Sequence, residues 1–546
     1  MINLKSNILY YLIFLSSLYI SFAYGSIYYT STLGPDFDYY GGYLDYFYGT
    51  KATTNLEQGL IYFYLISFFT SLKSEYLNEY NYLELISQGI QLTNFILYVI
   101  GLFGVFVFLK NKNYSTRIAL IVLTILNFFP PLFELRLLFK LEIILFPLLI
   151  WAIVFLDEYL NNYSVKFLFF SIIPLSLIIT SKANSGIMII IYFLIFYFIK
   201  VYKSNKYYFY SSIFLIFVLF CILSFENYQA NGLLIFEHRL PEGFDQKATL
   251  DFLYHVDLRN LYLNPFRHSQ NDSYLGILLL DTFDDYFTIS WNDDSSIFYL
   301  DRVPVLSYKL KPLLGMFFTL IMYSIIVWRL IKDKKNRYIY LMPLIGVFVQ
   351  MIISQFTGYN PETGDIGKTY YYAFFLAITF SLMVAYILKL YFKTGLVVFL
   401  LFIISAIHIF GFPKFENESR NDFIQFNNQI SYGCNINNQL FGFENNDCLK
   451  VEQNFCDYMY SISKKIKIVN SQYETKEYDL SNSKINFEKN SLVVESIDIK
   501  SCNNLLNDGF KPVKVLRIQN TPYINILMFM FFLFSSLYFV NVSKRD

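Results

Sequence analysis

Charge is what this chain has least of. Only 16% of its 546 residues are Asp, Glu, Lys or Arg while 55% are hydrophobic, which excludes an ordinary soluble protein of this size. Among four histidines and five cysteines there is no His-x-x-x-His or Cys-x-x-Cys pair, so no tight metal-ligand spacing is present. No Gly-rich phosphate loop occurs, which argues against a bound nucleotide or nucleotide sugar. A repeat of fixed period is also missing. The formal net charge of +1 is uninformative as a total, and no nucleic-acid partner is expected. Phe and Tyr are so abundant, at 60 and 49, that a single aromatic residue says little.

Long apolar runs fill the chain instead. Candidate spans lie near 7–26, 90–109, 118–135, 141–157, 166–181, 184–200, 207–225, 309–330, 338–357, 370–390, 395–412 and 522–541. The expected fold is a polytopic α-helical membrane protein of about twelve transmembrane helices, with a large outer loop and a small α/β outer domain before the last span. Residues 57–72 begin with Glu57 and Gln58 and are placed as an amphipathic or re-entrant helix within the first outer loop. Residues 1–25 have the n-h-c pattern of a signal peptide, but an uncleaved first span is the expectation adopted.

Basic residues orient this map. Lys110, Lys112 and Arg117; Lys166; Lys200, Lys203 and Lys206; Arg329, Lys332, Lys334, Lys335 and Arg337; Lys389 and Lys393; and Lys544 and Arg545 fall on one side if 57–72 does not cross. Both termini are then cytoplasmic, and loops 27–89, 226–308, 358–369 and 413–521 lie outside. The expected location is a plasma membrane or bacterial inner membrane with an extracytoplasmic active site. Three parts follow: a membrane body over 1–412, an outer domain over 413–521, and a last span with its cytoplasmic tail over 522–546. In the outer domain, Ile466–Val469, Leu492–Ile497 and Val513–Ile518 alternate as strands do. Cys434, Cys448, Cys456 and Cys502 all fall there and suggest two disulfides, with a zinc site as the rival reading. Cys221 lies in an apolar span and is expected to be a small core residue.

Charged groups near membrane depth are functional candidates. Asp36 and Asp38 lie in Gly34-Pro35-Asp36-Phe37-Asp38-Tyr39-Tyr40-Gly41-Gly42, directly after the first span. Two nearby carboxylates in a partly apolar pocket would raise one pKa and suit it to proton abstraction; a solvated turn is the bland alternative. Glu134, Arg136, Lys140 and Glu142 occupy a second outer turn and Lys182 a third, with interfacial snorkelling as the alternative. In the large outer loop, Arg267 and His268 could bind a lipid phosphate, and Trp291, Asn292, Asp293 and Asp294 a sugar. A divalent metal on the His and Asp side chains of that loop stays open but is not indicated.

The acidic first loop, Lys140-Leu141-Glu142 opening a span, the basic turn Thr180-Ser181-Lys182, the large outer loop and the soluble outer domain together resemble the GT-C superfamily of membrane glycosyltransferases. That resemblance implies transfer of a sugar from a polyprenyl-phosphate donor to an extracytoplasmic hydroxyl of a glycan, lipid or protein, with inversion and no cofactor. It implies Asp36 or Asp38 as general base, with Arg136, Lys140, Lys182 or the Arg267–His268 pair stabilising the departing lipid phosphate, and Glu142 beside them in the substrate site. The rival readings are a polyprenyl-linked glycan polymerase or ligase acting through Arg267 and His268, and a lipid-linked glycan transporter or flippase. A transporter would place its ionisable groups near the bilayer midplane and show repeated halves.

Overall fold

The computed structural model describes residues 4–28, 35–47, 56–72, 82–137, 139–235, 250–263, 273–283, 305–353 and 372–391, together with strands between 433 and 513. The helical part begins with α1 (Leu4–Tyr28), α2 (Pro35–Phe47), α3 (Ile61–Ser71), α4 (Tyr82–Asn111), α5 (Thr116–Leu126) and α6 (Pro130–Leu137). A 3-10 turn over Leu141–Ile144 leads into α7 (Leu145–Asn162), followed by α8 (Val165–Ser181), α9 (Ala183–Phe193), α10 (Ile199–Ser204) and α11 (Lys206–Asn231). A π-helical stretch, Leu194–Phe198, joins α9 to α10. Longer helices follow at Val305–Lys332, Met342–Ile353 and Ala373–Tyr391.

Local signals set several of these boundaries. Asn205 caps α11 by accepting from the Tyr207 and Tyr208 amides, Ser115 caps α5 through the Ile118 amide, and Gly232 closes α11 at φ +77°. Pro35 stands at the first position of α2, where its missing N–H costs no helical bond.

Among the described residues, six helices are long and apolar enough to cross a membrane: Gln88–Asn111, Leu141–Asn162, Ser185–Ser204, Lys206–Ala230, Leu313–Lys332 and Ala373–Leu390. Their burial differs sharply. The last is 78% buried and packs at the centre, whereas Lys206–Ala230 is apolar yet only 17% buried. Phe214, Phe217, Ile222 and Phe225 are exposed along it, the surface a lipid-facing helix presents. Close approach between α4 and α7 depends on Gly101 and Gly104, where a Cβ would fall 2.3 Å from the Phe146 ring and 2.6 Å from Ile150.

The expected span 118–135 is not one helix. It is α5 and α6, separated at Asn127–Phe129, because Pro130 and Pro131 start a new helix and disfavour helical geometry in the residue before them. Shorter apolar helices occupy four other regions: Ile8–Phe22, Ile61–Ser71, Val165–Ser181 and Arg337–Ile352. The expected spans 395–412 and 522–541 lie outside the described residues. Helix α3 runs beside the first half of α4: Tyr62 bonds Asn94 (2.8 Å), and a Cβ at Gly89 would meet Thr70.

In the C-terminal part, five strands are ordered β5 (Lys484–Glu488), β6 (Ser491–Glu495), β1 (Gly433–Ile436), β2 (Gln439–Phe443) and β7 (Pro512–Val513). The strands β3 (Lys465–Val469) and β4 (Thr475–Asp479) form an antiparallel pair from Lys465↔Asp479 to Val469↔Thr475. Cys434 lies on β1, opposite Phe441, while Cys448, Cys456 and Cys502 lie outside the described residues. Cys221 is a free, exposed thiol on α11, so it is not the core residue expected.

Candidate functional site at one end of the bundle

The bundle has two polar ends. Glu142 and Asp157 bracket most of α7 and are separated by roughly 22 Å at 1.5 Å per residue. At the Asp157 end, Lys112 pairs with that carboxylate at 2.9 Å, and Tyr197 and Tyr338 donate to it at 3.0 and 2.9 Å. Asn111 donates to Glu158, Lys200 lies over the Tyr338 ring, Lys389 over Tyr114, and Arg117 over Tyr10 of α1. Of the basic connections read from the sequence, those around 111–117, 200, 338 and 389 therefore meet at one end, and α1 starts there too.

Three of the expected site residues meet at the other end. Lys182, which follows α8, pairs with Glu142 at 2.7 Å; the Glu142 side chain is fully buried and that of Lys182 is 12% exposed. Lys182 also donates to the Tyr40 hydroxyl at 3.2 Å. Both Lys182 and the buried Lys140 lie against the Tyr40 ring, 5.8 and 6.0 Å from its centroid. Two ammonium groups thus share a single tyrosine on α2, and one of them is paired with a buried carboxylate.

Tyr40 is fixed from below by aromatic packing on Phe63 (5.6 Å) and Phe139 (5.4 Å). Tyr43, a turn further along α2, stacks on Phe63 at 4.3 Å and accepts from the Glu57 and Gln58 amides at 3.1 Å each. Asn227 of α11 holds the same segment by donating to the Leu56 and Gln58 carbonyls. Next to it, the Gly59 amide donates to the Ser181 carbonyl at 3.0 Å, one residue before Lys182. A Cβ at Gly59 would stand 1.9 Å from the Thr180 carbonyl oxygen, so only glycine permits this approach. Sequence reasoning passed over Gly59, Asn94 and Asn227; the signal for Asn94 was a polar residue near the start of a strongly apolar run, and Asn227 carried no comparable signal.

The segment that carries the acidic motif is helical, since Pro35–Phe47 forms α2. Positions four and seven apart share a helical face and positions two apart do not. Position 36 therefore lies on the stripe of Tyr40, Tyr43 and Phe47, and position 38 lies off it. Arg136 closes α6 and is buried, with its guanidinium carbon 4.7 Å from the Tyr98 ring centroid and 4.6 Å from that of Phe133. It stands apart from the Tyr40 group, tied to it through its own carbonyl, Asn94 (3.0 Å) and Tyr62. Arg267, His268 and Trp291–Asp294 lie outside the described residues. Among the described residues no three His, Cys, Asp or Glu side chains come together as metal ligands would.

Lys140 and Lys182 bring two ammonium groups to the start of α7, and an oxyanion such as phosphate is a ligand that ammonium groups complement. The chain matches no family model, no curated protein and no solved structure.

Proposed function

We propose that this protein is a polytopic membrane glycosyltransferase that moves a sugar from a polyprenyl-phosphate donor to a hydroxyl acceptor on the extracytoplasmic face. The observation that carries the reading is the convergence of Lys140 and Lys182 on Tyr40, with Glu142 paired to Lys182, at the bundle end opposite Lys112, Asp157 and Lys200. By the preference of basic loops for the cytoplasm, that end faces outward and both termini face inward. The shorter helices and the two unassigned apolar runs bring the proposed span count to about twelve, with the strand segments as an outer domain.

In this mechanism the isoprenoid tail lies along the apolar outer helices, and the donor phosphate sits at Lys140 and Lys182. Their charge stabilises the lipid phosphate as the glycosidic bond to it breaks. Glu142 holds Lys182 in place. A carboxylate of α2 takes the proton of the acceptor hydroxyl as that oxygen attacks the anomeric carbon from the opposite face, inverting it. Asp36 is the preferred base because it shares the helical face of Tyr40; Asp38 is the alternative. General-base catalysis accounts for roughly 10²–10⁴-fold of the rate. Arg267 and His268 would contact the donor from the large loop. The midplane placement that a transporter needs is not where the Lys140–Lys182 group lies, since Glu142 opens its long helix.

The test is transfer of labelled sugar from a panel of polyprenyl-phosphate donors by the purified protein in nanodiscs. Wild-type transfer that falls at least tenfold in Lys182→Met, at a protein concentration verified as folded, is the expected result. Absence of transfer with every donor and acceptor tried, by folded protein, counts against the proposal.

A further inference from the structure

Arg136 is the one buried cation in the described part of the chain whose three guanidinium nitrogens all lack a hydrogen-bond partner. It is 4% exposed. The surroundings are built, not slack. Tyr98 and Phe133 hold rings 4.7 and 4.6 Å from the guanidinium carbon. Tyr98 is fixed by donating to Asn127 at 2.8 Å, and Asn127 by donating to Ser17 of α1 at 2.7 Å. The Arg136 carbonyl is held by Asn94 at 3.0 Å. Four helices thus position a cation and supply it with two ring faces and the electrostatic attraction of the Tyr98 hydroxyl, while its nitrogens make no hydrogen bond of good geometry.

Aromatic faces return a small part of what it costs to bury a charge, and a buried charge normally comes with an anion and hydrogen bonds. A guanidinium presents five N–H donors in a fixed fork that matches the oxygens of a carboxylate or phosphate. Tyr98 lies one turn beyond Asn94 along α4, about 6 Å further from the site end, so this cation is a centre distinct from the Lys140–Lys182 group. We propose that Arg136, caged by Tyr98 and Phe133, is a second oxyanion-binding site that takes a carboxylate or phosphate group through its guanidinium fork. The site stands independently of sugar transfer: its ligand is either the head group of a lipid or a soluble oxyanion.

The experiment measures the unfolding midpoint of the full-length protein in phosphatidylcholine nanodiscs. One arm adds inorganic phosphate, and the other places polyprenyl phosphate in the bilayer. Ligand well above its dissociation constant is expected to raise the wild-type midpoint by about 3 °C. A shift persists in the Lys140→Met/Lys182→Met variant, where the donor-phosphate site is gone; in that background it shrinks on adding Arg136→Lys, which keeps a point charge without the fork, and disappears on adding Arg136→Met. Without ligand, Arg136→Met unfolds no lower than wild type, because an unpartnered cation has been removed. A response to the lipid arm alone identifies a head-group site; a response to soluble phosphate alone identifies a water-borne ligand. Equal shifts with and without Arg136→Met in the Lys140→Met/Lys182→Met background, no shift in that background in either arm, or a ligand-free Arg136→Met that unfolds well below wild type would overturn the proposal. Loss of sugar transfer in a variant that keeps its phosphate shift would bear on the transfer mechanism and leave this site standing.

Discussion

Gly59→Ala is the smallest change that should disable the proposed site without touching a charged group. The added Cβ would lie 1.9 Å from the Thr180 carbonyl oxygen, 2.7 Å from its carbon and 3.0 Å from the Ser181 Cα, all backbone atoms. Relief therefore requires the end of α8 to retreat by about 1 Å, which overpacked sites achieve at a cost of about 1–3 kcal/mol. The retreat stretches the Gly59–Ser181 hydrogen bond from 3.0 Å and carries Lys182 with it. Moved by that much, the 2.7 Å Lys182–Glu142 contact leaves hydrogen-bond range. The expected result is a midpoint several degrees below wild type and sugar transfer reduced at least tenfold. Gly41→Ala is the matched control: nothing lies within 4 Å of its Cβ position, and alanine in a helix interior is favoured by about 0.5–1 kcal/mol. Gly59→Ala with wild-type stability and transfer would refute the argument that Gly59 sets the position of Lys182.

Three further outcomes are expected. Lys182→Met strands the buried Glu142 carboxylate and should destabilise by about 3–5 kcal/mol; Glu142→Gln in the same chain should restore most of that, a double-mutant cycle read by thermal unfolding. Burial pushes the Asp333 carboxyl up, but hydrogen bonds from the Asn336 side chain and amide and from Arg329 outweigh it and hold the pKa below the usual carboxylate range. The stabilisation is therefore present above the ordinary carboxylate pKa and lost as pH falls through the lowered native value. Asp333→Ala should cost about 1–2 kcal/mol at pH 7 and progressively less as the pH is taken below the ordinary carboxylate range, and a cost that does not fall with acidification would contradict that. In a chain stripped of its five cysteines, Lys203→Cys should react with an impermeant maleimide only after the cell membrane is opened, whereas Phe47→Cys should react in intact cells; the reverse pattern would invert the orientation.

Much of the helical body was legible because hydropathy reports directly on what a bilayer selects: all six long helices fall on expected spans. The break at Asn127–Phe129 was not, since two prolines flanked by Phe and Leu leave an apolar average high while ending a helix. Helix α2 read as a loop because Asp, Gly and Pro suggest turns, although Pro35 suits a first helical position and the stripe 36, 40, 43, 47 has helical spacing. Lys140, Glu142 and Lys182 stood out as charges at the ends of apolar runs. Their shared partner did not: in a chain with 49 tyrosines, nothing local distinguishes Tyr40. Asp157 was passed over for a related reason, because the basic clusters around it had been used only to set orientation. Gly59 needed three dimensions, since its constraint comes from a carbonyl about 120 residues away.

The most direct test of the central claim compares Asp36→Asn, Asp38→Asn and the double variant in the reconstituted transfer assay, each verified as folded. The account predicts that Asp36→Asn lowers sugar transfer by roughly 10²–10⁴-fold, that Asp38→Asn lowers it far less, and that product from the wild type is inverted at the anomeric carbon. Transfer that survives the double substitution would contradict the proposed base and leave α2 without a catalytic part.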